Sequence, residues 1–301
     1  MLAIIIPYYK ITFFEATLQS LANQTDKRFK VYIGDDASPE DCSALLQKFK
    51  GQFDFTYHRF ESNLGGRSLT QQWERCIALS GDEEWLMILG DDDVLGENVV
   101  EEFYKQYDVF KDMSNLLRFS TQLIDSRRQK LFGVFNHPEF ESGIDFLYRK
   151  ITGQTRSSLS EYIFRKKVFD RHIFKNYPLA WHSDDKAWVD FAEEKSIYSI
   201  NNSLVNIRYS AQSISGSQDN LDLKNRASVQ FYRDIINEYF HQFNKVQKLY
   251  VLRKYEGLLK DKRLLKEREL FLFILKYIQI KDGKMLFDFI KRFVQYKIGR
   301  R

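Results

Sequence analysis

The chain has 301 residues, 44% hydrophobic and 29% charged, with a net charge of +5. That composition suits a globular protein with a sizeable core. Its two cysteines, Cys42 and Cys76, sit at no metal-binding spacing, and no run nears the roughly 20 apolar residues of a membrane span, so a disulfide framework, a cysteine metal site and a spanning helix are not expected.

Taken in order, Ala3–Ile6 is an apolar run that meets Pro7 at once, too short for a signal peptide and read as a buried strand. A helical pattern follows through Phe13, Leu18 and Leu21. "FKVYIGDDAS" gives a strand over Phe29–Ile33 that ends in Asp35 and Asp36. A helix is expected over 39–49, a strand in "FDFTYHRF", a helix over 66–80, a buried strand in "EWLMIL" and a helix over 96–111. Strands alternating with helices imply a parallel sheet covered on both faces, which binds ligands at the carboxyl ends of its strands. The polar groups after those strands are Tyr8–Lys10, Asp35–Ser38, Asn63–Arg67 and Asp91–Asp93. Beyond about residue 112 the alternation weakens. "NLLRFSTQLID" and "KLFGVF" read as strands at the sheet's edge, and "SEYIFR" as a further strand. From Asn220 onward the pattern is helical, with a break near Lys281–Gly283.

Several segments carry chemistry. Asp91, Asp92 and Asp93 follow "LMIL" directly. One of them would suffice to cap a helix starting near Gly96, whereas a carboxylate cluster at a strand end suits a hard divalent cation, Mg2+ or Mn2+, that shares its coordination with a diphosphate. Asp35 and Asp36 sit where a carboxylate accepts hydrogen bonds from a nucleobase or a ribose hydroxyl, although "DDAS" alone is an ordinary turn. "NLGGRS" has glycines that let backbone approach a ligand, and Arg67 suits a phosphate; a plain strand-to-helix turn explains it nearly as well. In "WHSDDKAW", Asp184 and Asp185 lie among aromatic rings, a setting that raises one pKa and suits a general base. The bland reading there is a helix start capped by Ser183. The five histidines are scattered, and only His182 neighbours the acids.

The charge is unevenly spread. Residues 245–301 hold 17 Lys and Arg against 6 Asp and Glu, a basic tail that suits an anionic partner. Within Lys284–Arg301, helical spacing sets Leu286, Phe289, Ile290, Phe293 and Val294 on one face, which suits either an anionic membrane surface or packing on the body.

These segments, in this order, resemble the family-two glycosyltransferases of the GT-A fold. "IIIPYYK", "TLQSLANQTDKRFKVYIGDDASPED", "NLGGRS", "GDDDVL" and "SDDKAW" are similar to successive family blocks over about residues 1–215. The "LGDDD" form looks most like bacterial enzymes of surface-polysaccharide assembly, such as capsule or O-antigen. The resemblance implies a Rossmann-like, mostly parallel α/β sheet with helices on both faces. It implies a catalytic domain over 1–215, with a nucleotide-binding half to about 112 and an acceptor half over about 113–215, and a helical extension over 216–301. It also implies roles. Asp36 matches the residue on the donor base, with Pro7, Tyr9 and Asp35 beside it, and Arg67 falls in the loop that helps hold the nucleotide. The family's acid-any-acid block falls on Gly90–Asp91–Asp92, so its first acid is missing. Asp91 then matches the ribose-side residue, Asp92 the metal ligand, and Asp93 is the substitute. Asp184–Asp185 match the Glu-Asp pair, with Asp185 as catalytic base. Many members carry a histidine where Ser210 stands. The expected partners are a nucleotide-sugar, a UDP-sugar first, a glycan or lipid-linked oligosaccharide acceptor, and an anionic membrane surface through Lys284–Arg301, with no nucleic acid. The expected location is cytoplasmic, peripheral on the inner face of the membrane. A metal-dependent nucleotidyltransferase and an inactive nucleotide-sugar- or membrane-binding homologue remain open on the same residues.

Overall fold

A computed structural model describes residues 1–209 and 220–298, in two units, Met1–Leu221 and Asp222–Arg301. The first unit runs β1 (Leu2–Tyr8), α1 (Phe14–Ala22), β2 (Phe29–Asp35), α2 (Ser43–Phe49), β3 (Asp54–Arg59), α3 (Leu69–Ile77), β4 (Trp85–Ile88) and β5 (Val94–Leu95). It continues with α4 (Val99–Lys105), α5 (Tyr107–Phe110), β6 (Leu116–Ile124), β7 (Phe140–Ser142), α6 (Gly143–Ile151), β8 (Tyr162–Arg165), α7 (Lys166–Arg171), α8 (Ser183–Ala192) and β9 (Ser196–Arg208). The strands make one sheet in the order β3-β2-β1-β4-β8-β6-β9-β5, with β7 paired to β9. The longer ladders are parallel, whereas β8, β5 and β7 pair antiparallel with short registers. This is the GT-A arrangement, a mostly parallel sheet covered by helices.

The apolar runs explain the core. Leu2 to Ile6 and Trp85 to Leu89 are fully or almost fully buried along both faces, as a strand sandwiched between helices requires. Trp85 packs edge-on against Phe103 and Phe110 from α4 and α5. The helix expected over 96–111 is broken at Gln106 into those two pieces.

Two expectations are corrected on the distal side, and one long strand was not foreseen. "NLLRFSTQLID" is no edge strand: β6 lies between β8 and β9 in the interior. Its polar residues find partners inside, Ser120 in Asn136 and Asn201, Gln122 Nε2 in the Phe132 carbonyl and Arg118 in Glu161. "KLFGVF" is no strand and meets the sheet only at isolated bridges from Lys130 and Phe135. The long β9 escapes apolar periodicity because Asn201 and Asn202 interrupt it where its register against β6 shifts.

The second unit comprises α9 (Leu221–Glu238), α10 (Lys245–Asp261), α11 (Glu267–Ile280) and α12 (Gly283–Ile298). Asn244 and Gln247 form a reciprocal capping box that starts α10. Tyr255, Phe273, Tyr277 and Phe289 make the buried aromatic core, and the buried Glu256 and Glu269 are each paired with arginine. The single apolar face expected in the tail is split: Phe289 and Phe293 turn inward, whereas Ile290 and Val294 stay exposed. Among the described residues no helix is long and apolar enough to cross a membrane.

Candidate active site

β1, β2, β4, β6 and β9 share one direction and β8 opposes them. The carboxyl ends of the former and the loop before β8 therefore meet at one edge, where ligands of open α/β sheets bind. A cavity of about 650 Å³ opens there, and it joins Pro7, Tyr9, Asp36, Asp91–Asp93, Asp184 and Asp185.

At one end Asp36 fixes a loop. Its carboxylate accepts the Leu64 N–H at 2.7 Å, the Gly65 N–H at 2.9 Å and the Arg75 guanidinium, which lies over Phe60. Gly65 is required there: a Cβ would stand 2.6 Å from Asp36 Oδ2. Asp35 and Arg67, expected beside the nucleotide, are not among the lining residues. The buried Asp35 carboxylate accepts from Tyr57 at 2.5 Å, Arg59 at 2.7 Å and the Ser38 N–H at 2.7 Å, so it holds β3 and the turn. Arg67 points to solvent.

The three aspartates divide their work. Asp91 Oδ2 accepts the Tyr9 and Lys10 N–H groups, each at 2.8 Å, and ties β4 to β1. Asp93 is buried with both oxygens engaged, by the Arg208 N–H at 2.8 Å and Ser160 Oγ at 2.5 Å. Neither it nor any side chain caps α4, which starts at Asn98. Asp92 faces the cavity, and among the described residues its carboxylate takes no hydrogen bond from another side chain. Ser160 closes the turn by also accepting the Gly90 N–H at 2.9 Å. A Cβ on Gly90 would stand 3.1 Å from both Asp92 Oδ1 and Asp93 Oδ2, a tight fit at the position of the missing first acid.

Burial pushes Asp91 up to about 6, burial and the Asp91 charge push Asp92 to about 6, and burial and the Asp92 charge push Asp93 to about 7. Among the described residues no group of three or more His, Cys, Asp or Glu is set to hold a metal ion. The donor set still fits a cation shared with a diphosphate, which needs only one or two carboxylates: Asp92 is the one with open oxygens, and Asp93 is withdrawn from that role. Ser210 lies outside the described residues.

The acid pair opens α8. A left-handed turn precedes it, with φ of 59° at Leu179, 52° at Ala180 and 70° at His182. Three such non-glycine residues in one cavity wall are strained backbone held by its surroundings. Ser183 is not the cap; its Oγ donates to the Lys175 carbonyl at 2.6 Å and anchors the turn from below. Asp185 is buried, with Oδ2 2.9 Å from His182 Nδ1 and 3.8 Å from Lys150 Nζ, and with no hydrogen-bond partner for Oδ1 among the described residues. Burial alone would raise its pKa, but the Lys150 charge and the His182 hydrogen bond bring it below the usual carboxylate range. Burial and the Asp185 charge raise Asp184 to about 7. One carboxylate of the pair is thus held ionised beside one poised near neutrality.

Lys150, Arg156, Ser160 and Arg208 also line the cavity and were not singled out from sequence. Only "RSSLS" carried a signal, since a hydroxyl-rich run before a buried strand marks a tight loop.

Residues 3–176 match the family model of glycosyl transferase family 2. No curated protein matches the chain. Among solved structures, S. aureus TarS 1-349 in complex with UDP-GlcNAc shares 13% identity at a TM-score of 0.66, over 93% of this chain and 80% of that one. The same protein in complex with UDP gives 14% identity and a TM-score of 0.63, over 95% and 82%.

Proposed function

The chain belongs to glycosyl transferase family 2, and from that premise we propose that it moves a sugar from a UDP-sugar to a hydroxyl of a glycan or lipid-linked oligosaccharide, with inversion, in the assembly of a cell-surface polysaccharide at the cytoplasmic face of the membrane. One observation carries this reading: a single cavity joins Asp36, the open Asp92 carboxylate and the Asp184–Asp185 pair. The shared fold of TarS, which binds UDP and UDP-GlcNAc, supports uridine as the base. The "LGDDD" form supports the polysaccharide setting.

On this reading Asp36 and the loop it pins receive the base, and Asp91 orders the β1 end beside the ribose. The acceptor hydroxyl attacks the anomeric carbon from the face opposite the nucleotide. Its proton passes to Asp185, kept ionised by Lys150 and His182, while the bond to the diphosphate oxygen breaks and UDP departs. Lys10 and Arg208 lend positive charge near that diphosphate. Asp92 would hold Mn2+ or Mg2+, which when bound neutralises charge on the diphosphate.

The test is product analysis with UDP-sugars and a panel of glycan acceptors. We expect release of UDP and a product of inverted configuration. Pyrophosphate released from a nucleoside triphosphate instead would make the protein a nucleotidyltransferase. Asp185→Asn should keep donor binding and lose about 10²–10⁴-fold in transfer; an unchanged rate would remove Asp185 as the base.

A further inference from the structure

α11 and α12 pack on each other through Phe273, Tyr277, Phe289 and Phe293, with ring centroids 4.9 Å apart for Phe273–Phe289 and 5.1 Å for Tyr277–Phe289. That inner stripe meets the ordinary need of an amphipathic helix to bury one face. Each helix nevertheless carries a second apolar stripe that stays outside. On α11 it is Phe271, Leu275 and Ile278, and on α12 it is Phe287, Ile290, Val294 and Ile298. These are not marginal exposures: Phe271 is 64% exposed and Phe287 68%. Large apolar residues aligned in this way on neighbouring helices mark an interaction surface rather than scattered surface residues.

The charge beside the stripe says what it meets. At 100° per residue, Lys284 and Lys291 fall along one side of the α12 stripe and Lys297 along the other, and all three are exposed. Three of the six acids of residues 245–301 are engaged elsewhere, Glu256 with Arg292 and Lys260, Glu269 with Arg233 and Asp282 with Lys245, which leaves Asp288 as the one acid on α12 beside Lys284 and Lys291. Over residues 245–301 there are 17 Lys and Arg against 6 Asp and Glu. A second copy of the chain would bring the same lysines to the same rim and be repelled, whereas an anionic surface is attracted.

We propose that the exposed stripe of α12 docks on an anionic lipid bilayer, with Phe287, Ile290, Val294 and Ile298 at the headgroup–acyl boundary and Lys284, Lys291 and Lys297 on lipid phosphates. Lysine stems reach from an apolar contact to a charged layer, which is the geometry such a rim needs. The proposal stands independently of the transferase reading.

The experiment is co-sedimentation of the full chain with vesicles of phosphatidylcholine, and of phosphatidylcholine mixed with phosphatidylglycerol. We expect binding at least about tenfold tighter to the anionic vesicles, weakening as salt is added. Phe287→Ser with Val294→Ser, and separately Lys284→Glu with Lys291→Glu, should each weaken it about tenfold. All four positions are exposed, so melting temperatures should hold; if the serine variant fails to fold, the charge variant still decides. Absent binding, equal binding to both vesicles, or full binding by the charge variant would overturn the proposal. So would a lipid-free dimer in sedimentation velocity that Phe287→Ser with Val294→Ser dissociates, because a second copy would then cover the stripe.

Discussion

Asp91, Asp92 and Asp93 put three carboxylates within one turn, and each is pushed to about 6 or 7. An unfolded aspartate titrates near 3.9, so between about pH 4 and pH 7 the folded chain binds more protons than the unfolded one, and stability falls as pH rises. Asp184 adds to that slope, whereas the lowered Asp185 opposes it, giving stability that is lost as pH falls through its folded pKa. Between pH 5.5 and 8 Asp185 is ionised in both states, and the group that opposes the four raised aspartates is His137, which burial pushes down to about 2; with four groups against that one, we expect a lower Tm at pH 8 than at pH 5.5 in the presence of a chelator, read by calorimetry. Asp92→Asn should raise the pH 8 Tm by about 2–5 °C, which corresponds to roughly 1–2 kcal/mol of relieved repulsion. A lower Tm in that variant would contradict the repulsion. Gly65→Ala, whose Cβ would stand 2.6 Å from Asp36 Oδ2, should displace the loop and weaken UDP binding at least about tenfold; unchanged affinity would separate that loop from the nucleotide. The cavity-facing Asp36, Asp92 and Asp185 were legible because they directly follow an apolar strand or open a helix. Arg75 and Arg208 were not, because an arginine's reach across elements leaves no mark in local spacing.

The loop before β8 is the element that holds the aspartate turn of the cavity. Glu161, fully buried, accepts from Arg118, from Arg156 at 2.9 Å and from Ser158 at 2.6 Å. One position earlier, Ser160 bonds Asp93 and the Gly90 N–H. Ser160→Ala should cost about 1–3 kcal/mol, since it leaves a buried carboxylate oxygen without its donor. It should also weaken UDP binding, whereas Ser126→Ala, at an exposed turn outside the cavity, should change neither. Urea unfolding and calorimetric titration of the two variants check this, and equal behaviour would remove the loop from the nucleotide site. β1, β2 and β4 could be read because each is a largely apolar run that the sheet buries on both faces, whereas β3 is an edge strand that stays mostly exposed. β6 misled because Arg118, Ser120 and Gln122 look like surface residues and find their partners inside. β9 was hidden by Asn201 and Asn202, which break its apolar pattern.

At the scale of the whole molecule, sequence and structure agree on a carboxylate rim along one edge of a mixed sheet. The turn beyond each strand was legible as polar. Convergence of the β8 loop was not, since it follows from β8 running against its neighbours, which only pairing reveals. The charge imbalance was legible as a count. Its division into buried ion pairs and an exposed lysine rim around a second apolar stripe required the helices to be packed. The central claim is that this edge holds a nucleoside diphosphate against Asp92. Its most direct test is calorimetric titration of the full chain with UDP, with and without Mn2+, beside Asp92→Ala. The account predicts binding that tightens with Mn2+ in the natural chain and loses that dependence in the variant. No UDP binding, or equal affinity with and without the metal in both proteins, would contradict it.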